Sequence, residues 1–136
     1  MKMMIDYRKD LKKSFRLMRG KTSSACSESF RDEFVGSALR KLNILAPDAF
    51  EKAKNYISQL LFCLDNVARI NGGKIEVDYD EKERIVKILC SCDGYYVISK
   101  ERDLTRDCFF RLCDYADSFF ITNKDKKIEI DAAVKI

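Results

Sequence analysis

The sequence contains no histidine and no tryptophan, and only one proline and five glycines among 136 residues. Without histidine there is no Ser-His-Asp or Cys-His nucleophile system, no imidazole metal ligand and no phosphohistidine chemistry. Neither of the glycine-rich phosphate-binding motifs GxxxxGK[ST] and GxGxxG occurs. The sequence therefore predicts no catalytic residue, no cofactor and no metal ion.

Long apolar runs are also missing. No stretch of about 18 apolar residues is present, and the charged start MKMMIDYRKDLKK is unlike a signal peptide. Apolar residues make up 46% of the chain and charged residues 35%, which is typical of a folded globular protein. We expect a soluble cytoplasmic protein with one hydrophobic core.

Cysteine is comparatively abundant, with six residues: Cys26, Cys63, Cys90, Cys92, Cys108 and Cys113. Because no pair has CxxC spacing and no export signal is found, the pattern favours free thiols buried as small apolar side chains. The alternative is a four-thiolate zinc site, made of Cys90, Cys92, Cys108 and Cys113.

Positive charge is concentrated at one end of the chain. The net charge is +4, but residues 1–21 hold eight Lys/Arg and two Asp, which gives +6 there and −2 in the remainder. The candidate partner or phosphate surface consists of Lys9, Lys12, Lys13, Arg16 and Arg19. Such a stripe is usually the solvated face of an amphipathic helix. Nucleic-acid binding through it is an alternative function, and that binding would weaken steeply with salt.

Apolar periodicity predicts an N-terminal helical hairpin made of helices 3–19 and 28–42. The apolar stripe of the first helix is Met4, Tyr7, Leu11, Phe15 and Met18, and that of the second is Phe30, Phe34, Ala38 and Leu42. Two short helices cannot bury both stripes, so the hairpin must pack on a third helix or on a second copy. We expect a homodimer in which two hairpins form a four-helix bundle.

Beyond the hairpin, the sequence predicts helices layered on a mainly antiparallel sheet. A long third helix begins at Pro47 and ends at Asn71-Gly72-Gly73, residues that tolerate a left-handed backbone. The elements that follow are strands 74–79 and 84–92, an Asp93-Gly94 turn with a short strand 95–99, a helix 100–116, and a hairpin of 119–122 and 128–134. The predicted fold class is α+β in the order α-α-α-β-β-(β)-α-β-β, with a helical hairpin over 1–43 and an α/β module over 47–136.

Two adjacent aromatic pairs, Phe109-Phe110 and Phe119-Phe120, indicate both core and surface positions. Neighbouring side chains on a helix or strand point in different directions, so one member of each pair is expected outside the core. We assign Phe109 and Phe119 to the core. Exposure of Phe110 or Phe120 would mark a surface for a partner protein.

Three motifs occur in a distinctive order between residues 47 and 94. The third helix carries Leu64-Asp65-Asn66-Val67-Ala68, the next strand carries Gly72-Gly73-Lys74-Ile75-Glu76-Val77, and Cys92-Asp93-Gly94 follows. This stretch resembles the ATP-binding domain of histidine kinases and their GHKL relatives, with motifs N-L-L-D-N-A, G-G-x-I-x-V and D-x-G. The resemblance implies that Asn66 would reach a phosphate or its metal and that Asp93 would reach the adenine amine.

The chain departs from this family at the residues that bind nucleotide. Phe62 stands where the family has a polar residue of the magnesium site, and Cys92 stands two residues before Gly94 in place of the acid. If Asp93 takes the place of the acid, Tyr95 replaces the glycine. The family's glycine-rich phosphate loop and lid have no counterpart in residues 95–99.

These departures imply a shortened version of the fold that binds no nucleotide. The function we expect is a non-catalytic regulatory or protein-interaction module of bacterial-type signalling. The alternative from the enzyme class is a small ATP-binding protein kinase of the anti-sigma type.

Overall fold

The computed structural model describes residues 1–6, 28–96 and 104–136. Within them the chain has the predicted α+β class, with helices on one side of a five-stranded antiparallel sheet. The elements are β1 (Lys2–Asp6), α1 (Glu28–Ala38), α2 (Arg40–Leu45), α3 (Pro47–Val67), β2 (Ala68–Asp80), β3 (Ile85–Tyr96), α4 (Leu104–Cys113), β4 (Ser118–Lys124) and β5 (Lys127–Lys135).

The sheet has the strand order β1-β2-β3-β5-β4, and every neighbouring pair is antiparallel. Two tight turns define its hairpins. Asp80 begins the β2–β3 turn, where its carboxylate accepts the backbone N–H groups of Lys82 and Glu83 at 3.0 and 3.2 Å. The β4–β5 turn uses Asp125 and Lys126, which both have positive φ, at 54° and 60°. A turn of this kind matches the twist of the strands it joins.

The core lies between the helices and the face of the sheet that we call the inner face. Strand side chains alternate between two faces, and the inner-face residues Ile75, Val77, Ile88, Cys90 and Ile130 are at most 1% exposed. Helix α3 supplies the other half of the core with fully buried apolar residues: Ala53, Tyr56, Ile57, Leu60, Cys63 and Leu64. The opposite face of the sheet, which we call the outer face, carries charged and polar side chains, together with a few exposed apolar ones.

The N-terminal region differs from the prediction. Met3 and Met4 belong to β1 rather than to a helix 3–19, because residues 2–6 pair with residues 74–78 of β2. The remainder of that predicted helix lies outside the described residues. The predicted helix 28–42 is two helices, α1 and α2, which meet at Leu39, where φ is −99° and ψ is 18°.

The glycine signals in the middle of the chain were also misinterpreted. Helix α3 ends at Val67, so Asn71-Gly72-Gly73 lies inside β2 and does not cap the helix. Asp93-Gly94 lies inside β3 and is not a turn, since β3 continues to Tyr96 and pairs there with the start of β2. The pairing shifts register between Ile70 and Gly72, which is the signature of a β-bulge.

The C-terminal elements agree more closely with the prediction. Helix α4 occupies 104–113 of the predicted 100–116, and the closing hairpin is confirmed with strands 118–124 and 127–135. Residues 97–99 of the predicted short strand lie outside the described residues. None of the helices described here is long and apolar enough to cross a membrane.

Candidate functional site

The three motifs of the family resemblance meet at one end of the sheet. Asn66 lies in the last turn of α3, which leads directly into β2 at Ala68. The register pairs Gly72 with Asp93 and Gly73 with Cys92. The backbone therefore brings together the helix end, the glycine pair and the Cys92-Asp93-Gly94 segment.

Of the Cys92-Asp93-Gly94 segment, the acid lies on the outer face of the sheet. Cys92 points to the inner face, is 1% exposed and belongs to the core under α3. Asp93, one residue later, is exposed on the outer face. Because α3 packs on the inner face, Asp93 lies on the side of the sheet opposite the helix that carries Asn66.

Neighbouring atoms lie close to the Cys92 side chain on the inner face. The Sγ atoms of Cys90 and Cys92 are 3.4 Å apart. A Cβ built on Gly73 would lie only 2.5 Å from the Cys92 Sγ and 2.9 Å from its Cα. The thiol contact, together with burial, raises the pKa of Cys90 well above its ordinary value. The same contact lowers the pKa of Cys92. The position where the family resemblance places an adenine-binding acid therefore holds a small, buried thiol.

The metal position of the resemblance is occupied by an aromatic side chain. Phe62 is half-buried against the core, and the Arg31 guanidinium carbon lies 4.8 Å from the centre of its ring. This distance is within the range of a cation–π contact. In this chain the contact joins α1 to α3. The residues here fit a helix–helix contact rather than oxygen coordination of magnesium.

Asp93 contributes instead to a groove on the outer face. The groove has a volume of about 460 Å³, and Asp93 is cross-strand partner of Gly72 on one side and of Lys127 on the other. Its remaining lining is mainly polar and charged: Asp6, Asn71, Gly73, Lys74, Glu76, Leu89 and Ser91. A mixed-charge, shallow lining of this kind differs from the apolar enclosure typical of a small-molecule site.

The cysteines of the described residues are free thiols. Cys63, Cys90, Cys92 and Cys108 are buried and Cys113 is exposed, while Cys26 lies outside the described residues. Burial also raises the pKa of Cys63, so this thiol is held in its neutral form. No group of three or more cysteine or acidic residues in the described parts of the chain is placed to hold a metal ion. The four-thiolate zinc alternative finds no support in this geometry.

The predicted basic surface of Lys9, Lys12, Lys13, Arg16 and Arg19 lies outside the described residues. The aromatic prediction is confirmed. Phe109 is 8% exposed and Phe119 packs against the core, whereas Phe110 is 67% and Phe120 70% exposed.

Sequence reasoning missed other exposed apolar side chains. On α2, Ile44 is 79% and Leu45 48% exposed, and on the outer face of the sheet Met4 is 55% and Leu89 40% exposed. The period-two alternation of a strand predicts the exposure of Leu89, because its neighbours Ile88 and Cys90 both point inward.

The stripe expected to form the dimer seam is partly used within one chain. Phe34 is 7% exposed and Leu42 is fully buried, and both belong to the core shared with α3. Ala38 is exposed. The sequence left two arrangements for this stripe, packing on the third helix or packing on a second copy. In the described residues, Phe34 and Leu42 pack on the third helix, α3.

No protein-family model matches the chain, and no curated protein sequence matches it either.

Proposed function

We propose that this chain is a non-catalytic regulatory or protein-interaction module of bacterial-type signalling, built on a degenerate form of the histidine-kinase ATP-binding fold. The order of the described elements agrees with the order of the motifs: a helix ending in the Asn66 motif, a strand with the glycine pair, a turn, and a strand ending near Gly94. This agreement supports the proposed family relationship.

The observation that carries the non-catalytic part is the placement of Asp93. Its carboxylate is exposed on the outer face, while α3 covers the inner face. The anti-sigma-type kinase alternative needs Asn66 and Asp93 on one ligand. A buried cysteine and a stacked Phe62 occupy the positions that would have to bind adenine and metal.

Partner binding is supported by the exposed apolar side chains. Two of them, Ile44 and Leu45, are adjacent on α2, and the others lie on the outer face and on α4. Covering exposed apolar side chains with a partner removes them from water, which lowers the free energy of the complex. Homodimerisation remains part of the proposal, with Ala38, Ile44 and Leu45 as exposed apolar residues within the described part of the helical region.

The test has two measurements: the melting temperature with and without nucleotide, and the molecular mass in solution. Millimolar Mg·ATP is expected to leave the melting temperature unchanged. A ligand present at 100 times its dissociation constant would stabilise the fold by about 2.7 kcal/mol, which is a shift of several degrees. Light scattering at tens of micromolar is expected to give a dimer mass, reduced to a monomer by Ile44→Lys.

The matched control for mass is Glu51→Lys, which adds a lysine at an exposed position of α3. A reproducible stabilisation by Mg·ATP that Asp93→Asn abolishes would contradict the non-catalytic assignment. A monomer mass for the unmodified protein would contradict the dimer alone.

A further inference from the structure

One row of side chains crosses the outer face of the sheet and takes one residue from each strand. The register pairs Met4 with Glu76, Glu76 with Leu89, Leu89 with Asp131, and Asp131 with Phe120. All five residues are exposed. Apolar and acidic side chains thus alternate from one edge strand to the other, and we call this set the alternating row.

The alternating row has two carboxylates and no cation. The rows on either side contain cations as well as carboxylates, since one holds Asp6, Lys74 and Glu129 and the other holds Lys2, Asp78 and Lys87. Neither of the ion pairs found among the described residues includes Glu76 or Asp131. The row therefore presents negative charge between exposed apolar groups.

The spacing of the row matches a helix. Adjacent strands are about 4.8 Å apart, so the apolar members Met4, Leu89 and Phe120 follow one another at about 10 Å. Successive turns of an α-helix are about 5.4 Å apart, which places residues i, i+7 and i+14 at intervals of about 10.5 Å. Same-face residues of an extended peptide repeat at about 6.6 Å, so a peptide with one of them opposite Met4 has none opposite Leu89.

We propose that the outer face binds an amphipathic helix of a partner protein, about four turns long and lying across the strands. Apolar side chains at i, i+7 and i+14 contact Met4, Leu89 and Phe120. Lysine or arginine side chains on the turns between them face Glu76 and Asp131. This inference names the partner class of the proposed function and rests on it.

A synthetic 15-residue helix provides the probe. It has leucine at positions 1, 8 and 15, lysine at 4, 5, 11 and 12, alanine elsewhere and a fluorescent label; the control peptide has glutamate in place of lysine. Fluorescence anisotropy is expected to show binding of the lysine peptide with a dissociation constant on the order of 10 µM. The glutamate peptide is expected to bind at least tenfold more weakly, and binding of the lysine peptide is expected to weaken with salt.

Charge reversal on the protein tests whether the row itself is the site. The double variant Glu76→Lys/Asp131→Lys is expected to prefer the glutamate peptide. The matched control, Glu81→Lys/Glu83→Lys, makes the same change in charge at the exposed β2–β3 turn and is expected to keep the preference for the lysine peptide. Circular dichroism establishes that each variant is folded before binding is compared.

Absence of binding by the lysine peptide, or equal binding of the two peptides, would overturn the proposal. So would an unchanged preference in the Glu76→Lys/Asp131→Lys variant. If the unmodified protein is a dimer that this variant dissociates, and the peptide does not bind, the row is covered by a second copy and the partner helix is wrong. Nucleotide binding is measured in a separate assay. A result against the non-catalytic assignment is therefore distinguishable from a result against helix binding by the outer face.

Discussion

Replacing Gly73 by alanine tests the packing at the centre of the candidate site. The methyl group would lie 2.5 Å from the Cys92 Sγ, 2.9 Å from the Cys92 Cα and 2.9 Å from the Ser91 carbonyl oxygen. Two of these three neighbours are backbone atoms of the paired strand, which move only if β2 and β3 separate. Alanine at this position is therefore expected to disturb strand pairing rather than only rotate a side chain.

The expected cost is about 1–3 kcal/mol, the usual range for overpacking a filled core. With a urea m-value on the order of 1.5 kcal/mol per molar, the unfolding midpoint would fall by about 0.7–2 M. The double variant Gly73→Ala/Cys92→Ala removes the thiol contact and leaves both backbone contacts. The double variant is therefore expected to be more stable than the sum of the two single substitutions predicts. It is still expected to be less stable than the unmodified protein.

Gly36 provides the matched control. Its added methyl group would have its nearest neighbour, the Phe50 Cζ, at 3.9 Å, which is an ordinary contact. Because Gly36 lies within α1, alanine is expected to stabilise the protein by about 0.5–1 kcal/mol. Equal midpoints for Gly73→Ala and the unmodified protein, measured by circular dichroism in urea, would refute the close packing described for β2 and β3.

Two further predictions concern the helical region and the thiols. Phe34→Asp places a charge at a position 7% exposed, so we expect loss of cooperative unfolding by circular dichroism, whereas Ala38→Asp, one turn later at an exposed position, should leave the melting temperature nearly unchanged. A stable Phe34→Asp variant would contradict the core position of α1. Under native conditions, iodoacetamide is expected to modify Cys113 well before Cys63, Cys90, Cys92 and Cys108, as measured by mass spectrometry of peptides. Equal rates for these five cysteines would show that the buried assignment is wrong.

Elements with strong local signals were predictable from the sequence. Pro47 fixed the start of α3, and the alternation of Ile128, Ile130, Ala132 and Val134 identified β5 and its inward face. These signals depend only on neighbouring residues, since proline suits the first turn of a helix and period-two alternation suits a strand with one wet face. The α+β class follows from the same local patterns.

Elements that depend on distant partners were not predictable. In residues 2–6, Met4 has a helical spacing to Tyr7 and Leu11, whereas Met3 and Ile5 have the period-two spacing of a strand. The strand forms because β2 offers an unpaired edge, with Ile5 opposite Ile75 and fully within the core. That edge is contributed by residues about 70 positions later, and local periodicity carries no information about it.

The glycine and Asp-Gly signals were ambiguous for a related physical reason. A glycine tolerates a left-handed backbone, but it also permits close approach of two strands. Gly73 serves the second purpose, since its neighbours leave no room for a Cβ. Asp93-Gly94 suits a hairpin turn only where the strands end, and here pairing of β2 with β3 extends beyond it to Ala68 and Tyr96.

The chemistry of the candidate site depends on this pairing. Side chains of a strand alternate with period two, so placing the acid at Asp93 rather than at position 92 moves it to the other face of the sheet. The inner face then receives a thiol in a packed core, and the carboxylate joins the charged outer face, close to the alternating row. A single step in sequence thus separates Asp93 from the face that carries α3. The same alternation leaves Leu89 between Glu76 and Asp131 on the outer face. The thiol on the inner face and the alternation of acidic and apolar side chains on the outer face are therefore consequences of one strand register.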